Sequence, residues 1–297
     1  MHSGPVISCR DLRHSYGEKT VLDGLTFDVE PGSIFGLLGK NGAGKTTTIN
    51  ILMGFLRPLS GQCRVLGEPS NDIAPATRRD IGLLHERFIQ YDFMSIEEIE
   101  RFHAAFYPKW ERDVFYDLVG RLDVPVTRRI SRMSCGQRSQ VVLGLIMAQT
   151  PRLMLLDDYS MGLDVGYRRL FLEFLQEYVA ERGTTVLVTS HVVQDLDKLI
   201  DRMVIIQSGK TLVTGRKEDF LDSFHGYRLP RTEVTDRLRP TGHIANVEHS
   251  AATTSIYGYL AYDEMRAALA SAGVAVDDLT EMPMDFEDAF IGITGKY

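Results

Sequence analysis

The stretch Gly39-Lys40-Asn41-Gly42-Ala43-Gly44-Lys45-Thr46 limits what this chain can fold into more than any other feature. It follows a short apolar run, Ser33–Leu38, and precedes a segment, Lys45–Leu56, with no breaker until Gly54. Strand, glycine loop and helix in that order are the context of a phosphate-cradling loop. The glycines let the backbone wrap with its N–H groups inward. The helix N-terminus adds its positive end. On this reading Lys45 reaches the β- and γ-phosphates of a nucleotide, and the Thr46 hydroxyl, with Thr47 beside it, turns toward Mg²⁺.

The rest of the chain falls into place around that loop. Val6–Leu12 and Thr20–Glu30 read as strands of an antiparallel sheet. Gly61–Gly67 and Ile81–Leu84 read as further strands. From Ser95 to Gln149 the period becomes helical, opening on Ser95-Ile-Glu-Glu98, a capping-box pattern. Helices are expected over Ile96–Phe106, Glu111–Leu122 and Gln137–Gln149. Strands return at Leu153–Leu156 and Thr185–Thr189 with a helix between them, about Gly166–Glu181. The helix Val192–Ile200 follows, then a hairpin turning at Ser208-Gly209. After Phe220 the texture changes to β-branched and aromatic stretches mixed with helical ones. The expected fold is α/β: a P-loop NTPase core with a mixed sheet, an antiparallel β subdomain and a helical insertion at about 90–150. Residues 1–219 form the ATPase domain, and 220–297 a small α+β appendage for dimerisation or regulation.

Composition narrows the function. The formal net charge is −7, which argues against a dedicated nucleic-acid binder. Cys9, Cys63 and Cys135 fit neither a disulfide framework nor a zinc spacing. No run approaches the ~18 apolar residues of a membrane span, and the N-terminus lacks a signal-peptide pattern.

Two more motifs carry chemistry. Leu153–Leu156 ends in Asp157-Asp158, and the carboxyl end of a strand is where ligands sit in open α/β sheets. Asp157 is expected to bind Mg²⁺ through water, and Asp158 to orient the attacking water. Met133-Ser134-Cys135-Gly136-Gln137 places a hydroxyl and backbone N–H groups at a helix start, an anion-binding arrangement.

These motifs, in this order, resemble the nucleotide-binding subunit of ABC transporters, in which L-S-G-G-Q lies between the phosphate loop and the acidic strand. The resemblance covers about residues 6–215. It implies that Ser134, Gly136 and Gln137 close over the γ-phosphate held by a second ATPase subunit, identical or different. It implies an adenine-stacking role for Tyr16, a dimer-seam loop at Ser160–Asp164 and a switch histidine at His191. It places Glu86 where a glutamine usually meets Mg²⁺ and the water. Phe106–Trp110 and the tail Asp285–Thr294 look like the ABC-2-type exporter branch. Such a subunit binds ATP and Mg²⁺, works with a separate transmembrane permease, and sits on the cytoplasmic face of the membrane through it. The sequence departs from the pattern at Met133, Cys135, Glu86 and Asp158. Asp158 stands where glutamate is usual, so its carboxylate sits about 1–1.5 Å further back, which implies slow hydrolysis. A nucleotide-gated switch with little turnover, and a soluble non-transport ATPase, remain alternatives at this level.

Overall fold

A computed structural model describes residues 4–85, 91–160, 162–190 and 192–296. The chain divides into two units: Met1–Val192 with Leu199–Thr214, and Val193–Lys198 with Gly215–Tyr297. The division falls at Gly215, earlier than the 220 expected from texture, and the second unit also takes in Val193–Lys198.

The first unit opens on β1 (Ile7–Tyr16) and β2 (Lys19–Val29), an antiparallel pair. Next come β3 (Ile34–Gly39) and α1 (Lys45–Leu52). α1 is shorter than expected because the Asn50 carbonyl accepts from the N–H groups of Phe55 and Leu56, at 2.9 and 3.2 Å. These wide-ring bonds close the helix end. β4 (Ser60–Val65), β5 (Glu68–Pro69), α2 (Pro75–Arg78) and β6 (Ile81–Leu84) follow. β4 pairs antiparallel with β1 and sets Cys9 directly opposite Cys63. Their sulfurs lie 3.5 Å apart as buried thiols.

The helical insertion comprises α3 (Ile96–Ala104), α4 (Arg112–Gly120) and α5 (Cys135–Ala148). The capping box forms as expected: Glu98 N–H donates to Ser95 Oγ at 3.2 Å, and Ser95 N–H to Glu98 Oε2 at 2.7 Å. Each such cap stabilises a helix start by about 1 kcal/mol. Ile96, Ile99, Phe115, Ile130, Val141 and Leu145 make the insertion's own core. The buried Glu100 side chain accepts from Trp110 Nε1 at 2.9 Å, Arg112 Nη2 at 3.2 Å and Tyr116 Oη at 3.5 Å.

β7 (Leu153–Leu156), α6 (Val165–Arg182) and β8 (Thr185–Val188) then return the chain to the central sheet. α7 (Val193–Asp197) comes next and is shorter than the nine-position segment Val192–Ile200 suggested. β9 (Arg202–Gln207) and β10 (Lys210–Arg216) complete the sheet, joined by the Ser208-Gly209 turn. The strand order is β10-β9-β3-β8-β7-β6. β6, β7, β8, β3 and β9 pair in parallel, and the tight hairpin makes the sheet mixed. Every residue of β7 and β8 is buried. Continuous apolar strands of this kind are what a parallel sheet covered on both faces requires.

The second unit contains α8 (Lys217–Ser223), β11 (His225–Pro230), β12 (Ile244–His249), β13 (Thr253–Gly258), α9 (Tyr262–Ser271), β14 (Thr280–Met282) and α10 (Phe286–Thr294). Its antiparallel sheet has the order β12-β13-β11-β14. Period-2 alternation sends Tyr227, Leu229 and Ile256 into a core with Met265 and Leu269 of α9. Tyr257 points to the other face, where Gly292 of α10 leaves room for its ring. α7 belongs here: Gln194 Nε2 donates to Glu287 of α10, and Lys217 Nζ donates to Asp197 Oδ1 at 3.0 Å.

Candidate active site

β3, β7 and β8 are adjacent parallel strands, so the loops leaving their carboxyl ends converge. Gly39–Gly44 leaves β3, Asp157–Ser160 leaves β7, and Thr189–Ser190 leaves β8. A cleft of about 380 Å³ at this point is lined by Tyr16, Lys19, Val21, Asn41, Gly42, Gly44, Lys45, Thr46, Thr47, Asp157, Asp158 and Thr189.

The loop is built to be glycine. Gly44 has φ +110°, and a Cβ there would lie 2.6 Å from Leu22 Cδ2 and 3.1 Å from the Val21 carbonyl of β2. Gly42 has φ +80°, with nothing within 4 Å of a Cβ position. The loop is thus pressed against β2 on one side and open on the other, a cradle that a side chain at Gly42 would fill. The Lys45 ammonium donates to the carbonyls of Gly39 and Lys40, at 2.7 and 3.2 Å, which ties it into the loop. Ala43 is buried, with its N–H on the Lys40 carbonyl at 3.0 Å. Gly39, Lys40 and Ala43 therefore shape the loop from behind.

The acids sit two strands along from the phosphate loop, at the end of β7, with β8 between. Asp157 is buried. Thr46 Oγ1 lies 3.4 Å from Asp157 Oδ1, so a hydroxyl and a carboxylate 111 positions apart in sequence stand side by side. Mg²⁺ favours octahedral oxygen ligands and commonly takes one or two from protein, the rest from phosphate and water. That donor pair fits such an ion. Among the described residues no group of three or more His, Cys, Asp or Glu gathers to hold a metal alone.

Thr189 was quoted above only as the end of a strand, yet it organises both acids. Its Oγ1 donates to Asp157 Oδ1 at 2.9 Å and accepts the Asp158 N–H at 2.8 Å. Asp158 has φ +48°, a left-handed conformation that costs a non-glycine residue on the order of 1 kcal/mol. The Thr189 hydroxyl holds that backbone in place. The signal in sequence was slight: a hydroxyl at the carboxyl end of an otherwise apolar run. Lys19 and Val21, contributed to the cleft wall by β2, carried no sequence signal.

Tyr16 stands half exposed at the cleft rim, edge-on to His14 with ring centroids 4.9 Å apart. Ser134, Gly136 and Gln137 do not line this cleft. They form the start of α5, where Gln137 N–H donates to Ser134 Oγ at 3.2 Å and Ser134 N–H to Gln137 Oε1 at 3.0 Å. Gly136 packs against the Tyr167 ring, where a Cβ would collide. Cys135 lies beside Gly162, so the segment after the acids runs next to this helix start. Glu86 and His191 lie outside the described residues. A larger cleft, about 520 Å³, opens at the amino ends of β7 and β8 beside Thr150–Arg152 and Gly183–Thr185. It contains none of the motif residues and lies at the wrong end of the strands for a ligand in an open α/β sheet.

Comparison with known proteins agrees with this geometry. The sequence model of the family described as ABC transporter matches residues 22–160. Nod factor export ATP-binding protein I of Rhizobium meliloti is 30% identical over 305 residues, spanning 98% of this chain and 88% of the relative. The protein of the same name from Paraburkholderia xenovorans is 31% identical, spanning 96% and 95%. Among solved structures, the ATP-binding subunit of an ABC transporter superposes with a TM-score of 0.63 at 25% identity, covering 73% of this chain and 92% of that one. A post-hydrolysis ATP-binding cassette bound to ADP and Pi shares the fold, with a TM-score of 0.62 at 19% identity over 71% and 98%. A full-length relationship to transporter ATPases and a cleft made from the same motifs lead to one conclusion: this chain belongs to the ATP-binding subunits of the ABC transporter family, and it is an ATPase.

Proposed function

We propose that this chain powers an ABC-2-type exporter, binding MgATP in the Gly39–Thr46 loop and hydrolysing it slowly. The observation that carries the reading is the approach of Thr46 Oγ1 to Asp157 Oδ1 at 3.4 Å, which joins the phosphate loop to the acidic strand end. Loop N–H groups and Lys45 hold the phosphates. Thr46 and Asp157 hold Mg²⁺, whose charge offsets that of the β- and γ-oxygens. Tyr16 offers a face to adenine, which any base accepts because every base has a π-face. Asp158 orients the attacking water. His191 and Glu86 keep the roles implied by resemblance, contact with the γ-phosphate and with Mg²⁺.

Slow turnover follows from side-chain length. Aspartate sets the carboxylate about 1–1.5 Å behind a glutamate, and misplacement of that size costs on the order of 100-fold in rate.

A second ATPase subunit, the same chain or another, supplies the facing Ser134–Gln137 segment. The permease docks on the helical insertion, where an aromatic group is left in solvent. Tyr91, Phe93 and Phe106 are 47%, 64% and 58% exposed. Phe102 joins them, with ring centroids 5.0 Å from Tyr91 and 5.2 Å from Phe106. Contiguous exposed apolar surface of this kind suits a partner interface. No helix among the described residues is long and apolar enough to cross a membrane, so the permease supplies the anchor on the cytoplasmic face. Relatives named for Nod factor export support an exporter, with the cargo selected by the permease.

Phosphate release by the purified chain tests this reading. Asp158→Glu is expected to raise kcat, by up to about 100-fold; an unchanged or lower kcat would refute the short-carboxylate argument. Co-purification from detergent extracts is expected to recover a membrane-spanning permease, and Phe93→Asp with Phe106→Asp to abolish that association. Recovery of the chain alone would refute the transporter assignment.

A further inference from the structure

The loops after β7 and β8 are joined by a second set of hydroxyls that the steps above do not use. Ser160 Oγ donates to Asp158 Oδ1 at 3.1 Å. Ser160 Oγ and Ser190 Oγ lie 3.0 Å apart. The N–H of Val192 donates to Ser190 Oγ at 3.0 Å. Both serines are buried, 4% and 2% exposed.

The direction of this chain follows from counting protons. A serine hydroxyl has one proton to give. Ser160 gives its proton to Asp158, so the bond between the serines is donated by Ser190. Ser190 in turn accepts the backbone N–H of Val192. Every bond thus points the same way, from Val192 through Ser190 and Ser160 to the Asp158 carboxylate. Aligned hydrogen bonds polarise one another, and a buried chain of them resists rearrangement. It also links Asp158 to a segment at the end of the neighbouring strand, on both sides of position 191.

We propose that Ser160 and Ser190 are positioning residues for ATP hydrolysis. Together they form a hydroxyl relay that fixes the short Asp158 carboxylate and ties its orientation to the segment after β8. The proposal rests on the reading that Asp158 orients the attacking water. An aspartate has one fewer rotatable bond than a glutamate, so the Ser160 donor at 3.1 Å restricts where its oxygens point. The relay therefore gives a recessed carboxylate a fixed aim without bringing it closer to the phosphate.

The test is steady-state phosphate release with MgATP, recording kcat and KM separately, with ATP binding measured in parallel. Ser160→Ala is expected to lower kcat at least about tenfold and leave KM for MgATP within about twofold, because the phosphate cradle is untouched. Ser160→Thr keeps the hydroxyl and is expected to recover most of the loss. Ser190→Ala is expected to lower kcat as well. The double variant is expected to be no slower than Ser160→Ala within about twofold, since both changes cut one chain. If Ser160→Ala does not fold, Ser190→Ala, which leaves Ser160 in place, carries the test. A wild-type kcat in either alanine variant overturns the relay, as does a loss that Ser160→Thr fails to restore or losses that multiply in the double variant. Asp158→Asn separates the two readings. Loss of turnover there with normal turnover in Ser160→Ala refutes the relay alone, whereas normal turnover in Asp158→Asn refutes the role of Asp158 itself.

Discussion

Thr189→Val isolates the hydroxyl that holds the two acids while keeping the side chain's shape. Thr189 is fully buried. Its Oγ1 makes two bonds, to Asp157 Oδ1 at 2.9 Å and from the Asp158 N–H at 2.8 Å. A hydrogen bond to a carboxylate contributes about 1.5–3 kcal/mol, and a buried N–H that loses its acceptor costs about 1–3 kcal/mol. Burying a methyl in place of the hydroxyl returns about 0.8 kcal/mol. The net loss is about 2–5 kcal/mol. With a urea slope of about 3 kcal/mol/M, the unfolding midpoint of the first unit should fall by about 1 M. Thr189→Ser keeps the hydroxyl and loses one buried methyl, so it should fall by only about a third as much. Urea titration followed by far-ultraviolet circular dichroism measures both. A Thr189→Val midpoint within about 0.2 M of wild type would refute the argument, because the acids would then not depend on this hydroxyl.

Gly44→Ala should abolish MgATP binding by calorimetry while leaving the fold's circular dichroism intact, since φ +110° and the approach of Leu22 exclude a Cβ. Glu100→Ala should destabilise the helical insertion by about 2–4 kcal/mol, because the half-buried Trp110 and Tyr116 and the exposed Arg112 lose a common buried acceptor; hydrogen exchange of α3 and α4 should accelerate before that of β7. The Glu98 carboxyl is held below its ordinary value by the Ser95 N–H, with the Ser95 hydroxyl and Arg101 assisting. A depressed carboxyl stabilises the fold above its unfolded value, about 4.3, and loses that contribution as pH falls through the depressed one. The melting difference between wild type and Glu98→Gln should therefore be largest near pH 7 and shrink below about pH 4.

The parts of the fold that were legible in sequence are those fixed by local chemistry. The phosphate loop could be read because its glycines, Lys45 and Thr46 lie within one turn and its helix. The start of α3 could be read because Ser95 finds Glu98 three residues on, whereas α5 starts at Cys135, two residues before the expected Gln137, because Ser134 caps it. β6 and β7 were marked by short apolar runs between breakers. Contacts across the sheet were not legible. Thr189 serves acids 31 and 32 positions away, and Cys9 faces Cys63 across 54, and neither leaves a periodic trace. α7 followed β8 closely enough in sequence to be assigned to the ATPase domain. It belongs to the second unit because Gln194 and Asp197 are held there by Glu287 and Lys217, partners that lie beyond any local window.

The most direct test of the account is phosphate release and MgATP binding by the purified chain beside Lys45→Ala and Asp158→Asn. The account predicts measurable release by the wild type. It predicts loss of both binding and release in Lys45→Ala, and loss of release with binding kept in Asp158→Asn. Release from Lys45→Ala at the wild-type rate would contradict it.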